Sequence, residues 1–353
     1  MNARRGFESH MRHCDDASGI QIGARDRPMK VSIIIRTYNR GYIIGEAIQS
    51  ALRQTLDDFE IIVVDDGSSD DTADVVERFR SEKIRYIRHD GNLGVSAAGN
   101  TGIKAAQGEF IAHLDSDDMW SPDLLARLVA VLQQYDEVAA AFSDVEVHRG
   151  TQISSIVGSM RAFPKLLASR GDGSDVFLFS SREMYLCLLE EVPIKPTALL
   201  VRRRVLDEIG GYDEAWRSGE DWELYLRIAK RYGFGYVNRK LAVMRVLADS
   251  TLAKYQEQDK TSLLRLAVSE KKGLVQDGEA LQVVNRAIYH HSKDLGWIYL
   301  HTDRRLKSIK TYLRGFFETG QVPLIVRAGV ALMPLQLVSG LKSMFLSGGR
   351  LQG

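Results

Sequence analysis

The chain has 353 residues, 44% hydrophobic and 26% charged, enough to bury one large domain with additions or two modest ones. Its 47 basic and 46 acidic residues leave a formal net charge of +1, which supplies no basic field for nucleic acid. Cys14 and Cys187 are the only cysteines, so no disulfide framework is expected and a reducing cytosol is the easier reading.

Residues 1–29 alternate basic and acidic side chains without an apolar core segment, so a mobile tail is expected there rather than a secretory signal. Val31-Ser-Ile-Ile-Ile35 is short, apolar and β-branched, the pattern of a buried strand. Ile44, Ala47, Ile48, Ala51 and Leu52 follow at helical spacing. Residues 60–64 read as a second strand, 73–79 as a helix, 84–87 as a third strand, 95–106 as a helix and 109–114 as a fourth strand. This alternation predicts an α/β fold, a Rossmann-like, mostly parallel sheet flanked by helices. Ligands of such sheets bind beyond the carboxyl ends of the strands. The polar clusters at 36–40, 65–71 and 115–118 all fall there. A strand over 138–147, an irregular lid over 150–180, a strand over 197–201 and a helix over 220–232 come next, and helices follow 262 to the end.

Three acidic clusters carry candidate chemistry. Asp65-Asp66-Gly67 ends the second strand, where it either makes a turn and a helix cap or accepts hydrogen bonds from a nucleotide. Asp115-Ser-Asp117-Asp118 places three carboxylates within four residues. They repel one another unless solvated or bound to a hard cation such as Mg²⁺ or Mn²⁺. The alternative is capping, with Ser121 as N-cap and Pro122 at the first helical position. In Gly219-Glu220-Asp221-Trp222 the acids suit a first helical turn with Ser218 as cap, and Asp221 is also a candidate general base. A dehydrogenase or a nucleotidyltransferase is not expected, because Arg36-Thr-Tyr-Asn-Arg40 lacks the glycine-rich loop each requires after its first strand.

Taken in order, VSIIIRTYNR, AIQSALRQTLDDFEIIVVDDGSSDDT, NLGVSAAGNTGIKAAQGEFIAHLDSDDMWSPDLL and PTALLVRRRVLDEIGGYDEAWRSGEDWELYLRIA resemble the inverting family 2 glycosyltransferases of GT-A fold over about residues 30–235. The resemblance implies transfer of a sugar from a nucleotide-diphosphate donor, a UDP-sugar favoured, to the hydroxyl of a glycan or lipid-linked acceptor in surface polysaccharide assembly. By position, Thr37, Tyr38, Asn39, Arg40, Asp65, Asp66 and Asp115 match the nucleotide-sugar contacts, with the Tyr38 ring near the base. Asp117, with Asp115, matches the metal-binding pair. Asp221 matches the catalytic base, and Glu220 and Trp222 the acceptor region; Trp222 also reads as an ordinary core residue. Three positions depart from the family: Arg36 replaces proline, Gly99 stands where arginine is frequent, and Leu247 stands where histidine is frequent. They motivate one alternative, a degenerate member that binds nucleotide-sugar or glycan without turnover.

The resulting layout is a tail over 1–29, a GT-A domain over 30–255 and a helical region over 256–353. In the last part, basic residues outnumber acids and the apolar stretch 322–346 is interrupted by Arg327, Pro334, Gln336 and Lys342. That is too broken for a bilayer span, and it suits either peripheral contact with the inner face of the cytoplasmic membrane or plain packing on the catalytic domain.

Overall fold

A computed structural model describes residues 31–171, 173–247 and 256–333. The expected tail and residues 334–346 of the apolar stretch lie outside the described residues. The elements are β1 Val31–Thr37, α1 Ile44–Leu52, β2 Phe59–Asp65, α2 Thr72–Glu77, β3 Ile84–Arg88, α3 Val95–Ala105, β4 Phe110–Asp115, β5 Met119–Trp120, α4 Leu124–Gln134 and β6 Val138–Arg149. They continue with β7 Gln152–Ser155, α5 Phe163–Ala168, β8 Val176–Phe179, α6 Ser181–Glu190, β9 Leu199–Arg202, α7 Arg203–Ile209, α8 Glu220–Ala229 and β10 Gly233–Arg245. Four helices follow: α9 Gln256–Lys271, α10 Gly278–His301, α11 Arg305–Thr319 and α12 Val322–Leu332.

One sheet runs β3-β2-β1-β4-β9-β6-β10-β5. The first four strands are parallel, as expected, whereas β9 is antiparallel to both of its neighbours. The long apolar runs of β1 and β2 arise because both sheet faces are covered. Ile33 and Ile35 face the core under α1 and α4, while Ile34, Ile62 and Val64 join the core on the other face. Segment 150–180 is not irregular throughout: β7, α5 and β8 lie in it, and β8 pairs with β10. The 13-residue β10 has bulges around Val237, Lys240 and Ala242, so it shows neither alternation nor a continuous apolar run in sequence.

Two expected caps are elsewhere engaged. Helix α4 begins after Asp123, because Ser121 donates its N–H to Leu241 and accepts the side-chain amide of Gln54 on its carbonyl, while the Pro122 carbonyl takes the Thr55 N–H. Ser218 donates its hydroxyl to Asp259 of α9, and Gly219, at φ 76°, takes the cap position of α8. Helices α9 and α10 share a core with the sheet domain: Leu264, Leu266, Val284 and Ile288 join Leu188, Trp222 and Leu226. Ion pairs Arg182–Asp277 and Lys230–Glu270 cross the same junction.

Candidate functional site

Register explains why the polar clusters meet. In the parallel ladder Thr37 stands beside Asp65 and Arg36 beside Asp115, so the carboxyl ends of β1, β2 and β4 form one rim. Beyond it, Asn39 (φ 52°) binds the next loop, donating its N–H to Ser68 Oγ at 2.8 Å and accepting the Ser69 N–H at 2.8 Å. Arg40 donates its N–H to Thr72 Oγ1. The Tyr38 ring is 46% exposed above the rim, available for stacking, and Thr37 Oγ1 is buried without a hydrogen-bond partner.

Asp65 and Asp66 are both buried and largely occupied. Asp65 accepts the Ser68 N–H at 2.8 Å and the Tyr86 hydroxyl. Asp66 accepts the N–H groups of Leu93 and Gly94 at 2.9 and 2.8 Å, and its Oδ1 lies 2.8 Å from His89 Nδ1. Both carboxylates build the loops around the rim, as the turn-forming alternative of the sequence reading expects. Asp66→Ala is expected to lower stability by about 1–3 kcal/mol, read by urea unfolding, because it strands buried donors.

The 115–118 turn is where charge is concentrated. Asp115 Oδ1 accepts from Arg36 Nη2 at 3.0 Å, and its side chain is 35% exposed. Burial and the Asp115 charge push the Asp117 carboxyl up to about 6. Burial, reinforced by Asp115 and Asp117, raises Asp118 well above the usual carboxylate range. Asp118 is turned inward and accepts the Arg245 N–H at 3.0 Å. Arg245 also donates to the Asp117 carbonyl and to Glu46 at 2.5 Å, so β10 and α1 clamp the turn.

Among the described residues no group of three or more His, Cys, Asp or Glu is arranged to hold an ion unaided. The donor set is oxygen-only, however, and Asp117 is a carboxyl whose ionised form gains from an adjacent cation. That fits Mg²⁺ or Mn²⁺ held by one or two carboxylates with substrate phosphates completing the shell, rather than an all-protein cage.

The third cluster is brought in by α3. Asn100 receives the Tyr212 N–H on its Oδ1 at 2.8 Å and donates to the Tyr212 carbonyl at 2.9 Å, while Ser96 Oγ donates to the Trp216 carbonyl at 2.8 Å. This seats the 211–219 segment against the sheet and aims the start of α8 at the rim. Glu220, Asp221 and Glu223 then occupy the first turn, where the helix dipole favours acids. Glu220 Oε1 lies 3.8 Å from Arg36 Nη1, so one guanidinium touches the end of β4 and the start of α8. Burial and neighbouring Asp221 push Glu220 up to about 7, with Arg36 opposing. Asp221 is part-exposed beside it and accepts the Trp222 N–H.

Trp222 is 2% exposed, donates its indole N–H to the Leu188 carbonyl and meets His291 edge-on. Its side chain is core, so the acceptor-lining alternative is corrected. Of the departures, Arg36 is neither solvated nor open to solvent phosphate: it is buried between Asp115, Glu220 and the Tyr212 ring, whose centroid is 5.4 Å from its carbon. Tyr212 and His113, whose rings lie 5.4 Å apart, belong to the site and were not singled out in sequence. The Gly-Gly-Tyr run gave no sign of which strand it would cover.

The glycosyl transferase family 2 profile matches residues 32–210. An uncharacterized glycosyltransferase of Bacillus subtilis, YwdF, is 33% identical over 207 residues, covering 58% of this chain and 69% of that protein. The Escherichia coli UDP-Glc:alpha-D-GlcNAc-diphosphoundecaprenol beta-1,3-glucosyltransferase WfgD is 34% identical over 148 residues, 40% of this chain and 57% of that one. An uncharacterized glycosyltransferase of Rickettsia felis is 31% identical over 62% of this chain, which spans 33% of that relative's length. Among solved structures, Staphylococcus aureus TarS 1–349 in complex with UDP-GlcNAc superposes with a TM-score of 0.62 at 18% identity, covering 82% of each chain. At that identity the likeness shows the fold, which is GT-A.

Proposed function

We propose, from the premise that this chain belongs to glycosyl transferase family 2, that it transfers a sugar from a nucleotide-diphosphate donor to an acceptor hydroxyl with inversion. The observation that supports this most is the shared contact of Arg36 with Asp115 and Glu220, because it joins the strand end that would face the donor to the helix start that would face the acceptor. Asp117, assisted at most by Asp115, would hold a divalent cation on the donor diphosphate; when bound, that cation would neutralise charge on the leaving group. Asp221 takes the proton from the acceptor hydroxyl, and the Tyr38 ring stacks on the base. The reaction passes through oxocarbenium character at the anomeric carbon, and a base on the face opposite the leaving group gives inversion. The test is a screen of nucleotide sugars with Mn²⁺ and candidate acceptors. Release of nucleoside diphosphate that depends on acceptor supports the reading, while donor binding without release identifies the degenerate alternative.

A UDP-sugar and a polyprenyl-diphosphate-linked acceptor are the favoured substrates, on the printed activity of the Escherichia coli relative. A membrane-borne acceptor suits the C-terminal helices. No described helix is long and apolar enough to cross a membrane. Helix α12 nevertheless buries Leu324, Ala328 and Ala331 and exposes Val322, Ile325, Val326 and Leu332, with Met333 exposed just beyond its end. Next to it α11 exposes Phe317 together with Lys307, Lys310 and Arg314. An apolar face beside a basic stripe fits an anionic bilayer surface. The protein is expected to cosediment with vesicles containing anionic phospholipid, and Ile325→Asp with Val326→Asp to weaken this roughly tenfold or more.

A further inference from the structure

Helices α9 and α11 both pack on α10, and they run in the same direction with a groove between them. Ion pairs pin the two walls together at either end. Arg304, just before α11, donates to both carboxylate oxygens of Glu257, near the start of α9, at 2.9 and 2.5 Å. Lys271, at the end of α9, lies 3.3 Å from Oε2 of Glu318, near the end of α11. Between these pins the groove has a volume of about 300 Å³. Leu264 of α9 and Leu295 and Tyr299 of α10 give it an apolar floor, while its walls carry Arg265, Lys310 and Arg314.

These three cations differ from others in the helical region. Arg182, Lys230, Lys271 and Arg304 each meet a carboxylate. Among the described residues, the side chains of Arg265, Lys310 and Arg314 have no ion-pair or hydrogen-bond partner. Glu257 and Glu318, the acids at the ends of the walls, are committed to the pins. Lys310 and Arg314 also stand one turn apart on α11, where like charges repel and destabilise the helix. Unpaired positive charge converging over an apolar floor is complementary to an anion, and three cations suit more than one phosphate.

Two observations indicate which anion. Leu306 and Phe317 of α11, 75% and 80% exposed, flank the stretch from Lys310 to Arg314, so the surroundings suit an amphiphile. On the other wall the Arg265 guanidinium lies over the Trp216 ring, 4.7 Å from its centroid, and Asp259 of α9 takes the Ser218 hydroxyl. Trp216 and Ser218 belong to the segment leading into Glu220 and Asp221, so α9 links the groove to the start of α8.

We propose that the groove between α9 and α11 binds the diphosphate of the lipid-linked acceptor, with Arg265, Lys310 and Arg314 pairing its oxygens. This rests on the glycosyltransferase reading and names where its acceptor is held. Cations of both walls meet the two phosphates, the lipid leaves past Leu306 and Phe317, and the sugar lies toward the 216–221 segment. The site is separate from the donor's rim, and it needs no divalent cation because side chains supply the positive charge.

The first measurement is calorimetry of the full chain with inorganic pyrophosphate in EDTA, where the donor rim has no ion to hold a diphosphate. The parent is expected to bind, and Arg265→Gln/Arg314→Gln to bind about tenfold more weakly or worse. Lys272→Gln, which removes an exposed cation just beyond α9, is expected to stay within about twofold of the parent. Arg265, Lys310 and Arg314 are all exposed, so their substitution leaves the core intact, and Lys310→Gln gives an independent single change. The second measurement is cosedimentation with phosphatidylcholine vesicles carrying either polyprenyl diphosphate or phosphatidylglycerol at matched charge. The parent is expected to favour polyprenyl diphosphate by about tenfold, and the double variant to lose that preference and to raise the acceptor KM by about the same factor. Equal binding to the two lipids by the parent would show general surface attraction and overturn the proposal. So would a double variant that binds pyrophosphate as the parent does. If transfer is intact and the double variant keeps the parental acceptor KM, only this proposal falls. If the parent binds pyrophosphate but releases no nucleoside diphosphate with any acceptor, the functional reading falls and the acceptor assignment with it.

Discussion

Asp221→Asn is expected to keep nucleotide-sugar binding and to lose transfer by about 10²–10⁴-fold, the range for removal of a general base. The substitution is nearly isosteric, and the amide oxygen can still accept the Trp222 N–H that Asp221 Oδ1 accepts at 2.8 Å, so the first turn of α8 keeps its shape. What disappears is a carboxylate able to take a proton. Calorimetry with donor and a discontinuous assay for nucleoside diphosphate separate the two effects. An Asn variant that transfers at the parental rate would move the base elsewhere, and Glu220 would be the first place to look, since burial and Asp221 already push it up to about 7.

The second large effect is expected at Asp117. Asp117→Ala should abolish metal-dependent donor binding while leaving the fold intact, because the side chain is only part-buried and its backbone carbonyl, not its carboxylate, anchors Arg245. The pH dependence follows from the raised pKa. Burial and Asp115 favour the neutral acid, so below about 6 a proton must leave before a cation binds. Mn²⁺ affinity is therefore expected to fall about tenfold per pH unit below that point and to level off above it. A profile flat from pH 4.5 to 7.5 would place the ion on another group.

Much of this was readable in advance, for identifiable reasons. β1 and β2 are covered on both faces, so their apolar runs, Ile33 to Ile35 and Ile61 to Val64, are continuous and end at Arg36 and Asp65, while β4 carries His113 within its run and ends at Asp115. Those ends share one rim, so the convergence of the clusters at 65–66 and 115–118 was legible in the sequence. The second half of the sheet was not. β10 interrupts its pattern with Asn238, Arg239 and Lys240 at the bulges, and β8 is a strand only because β10 pairs with it. The capping reading at Ser218 failed because Asp259 takes its hydroxyl, and the one at Ser121 failed because the helix starts only after Asp123. Arg36 shows the same limit most sharply. A charged residue reads as solvated, and its burial is intelligible only from the register that sets β1 beside β4 and from a tyrosine more than 170 positions away.

Crystals soaked with Mn²⁺ and UDP bear most directly on whether acidic groups from three distant segments form one reaction centre. The expected result is anomalous density for manganese against Asp117, bridged to the diphosphate, with the Asp221 carboxylate opening into the same cleft and the Tyr38 ring over the base. Manganese and nucleotide bound away from the 115–118 turn, or Asp221 facing a different side of the sheet, would contradict it.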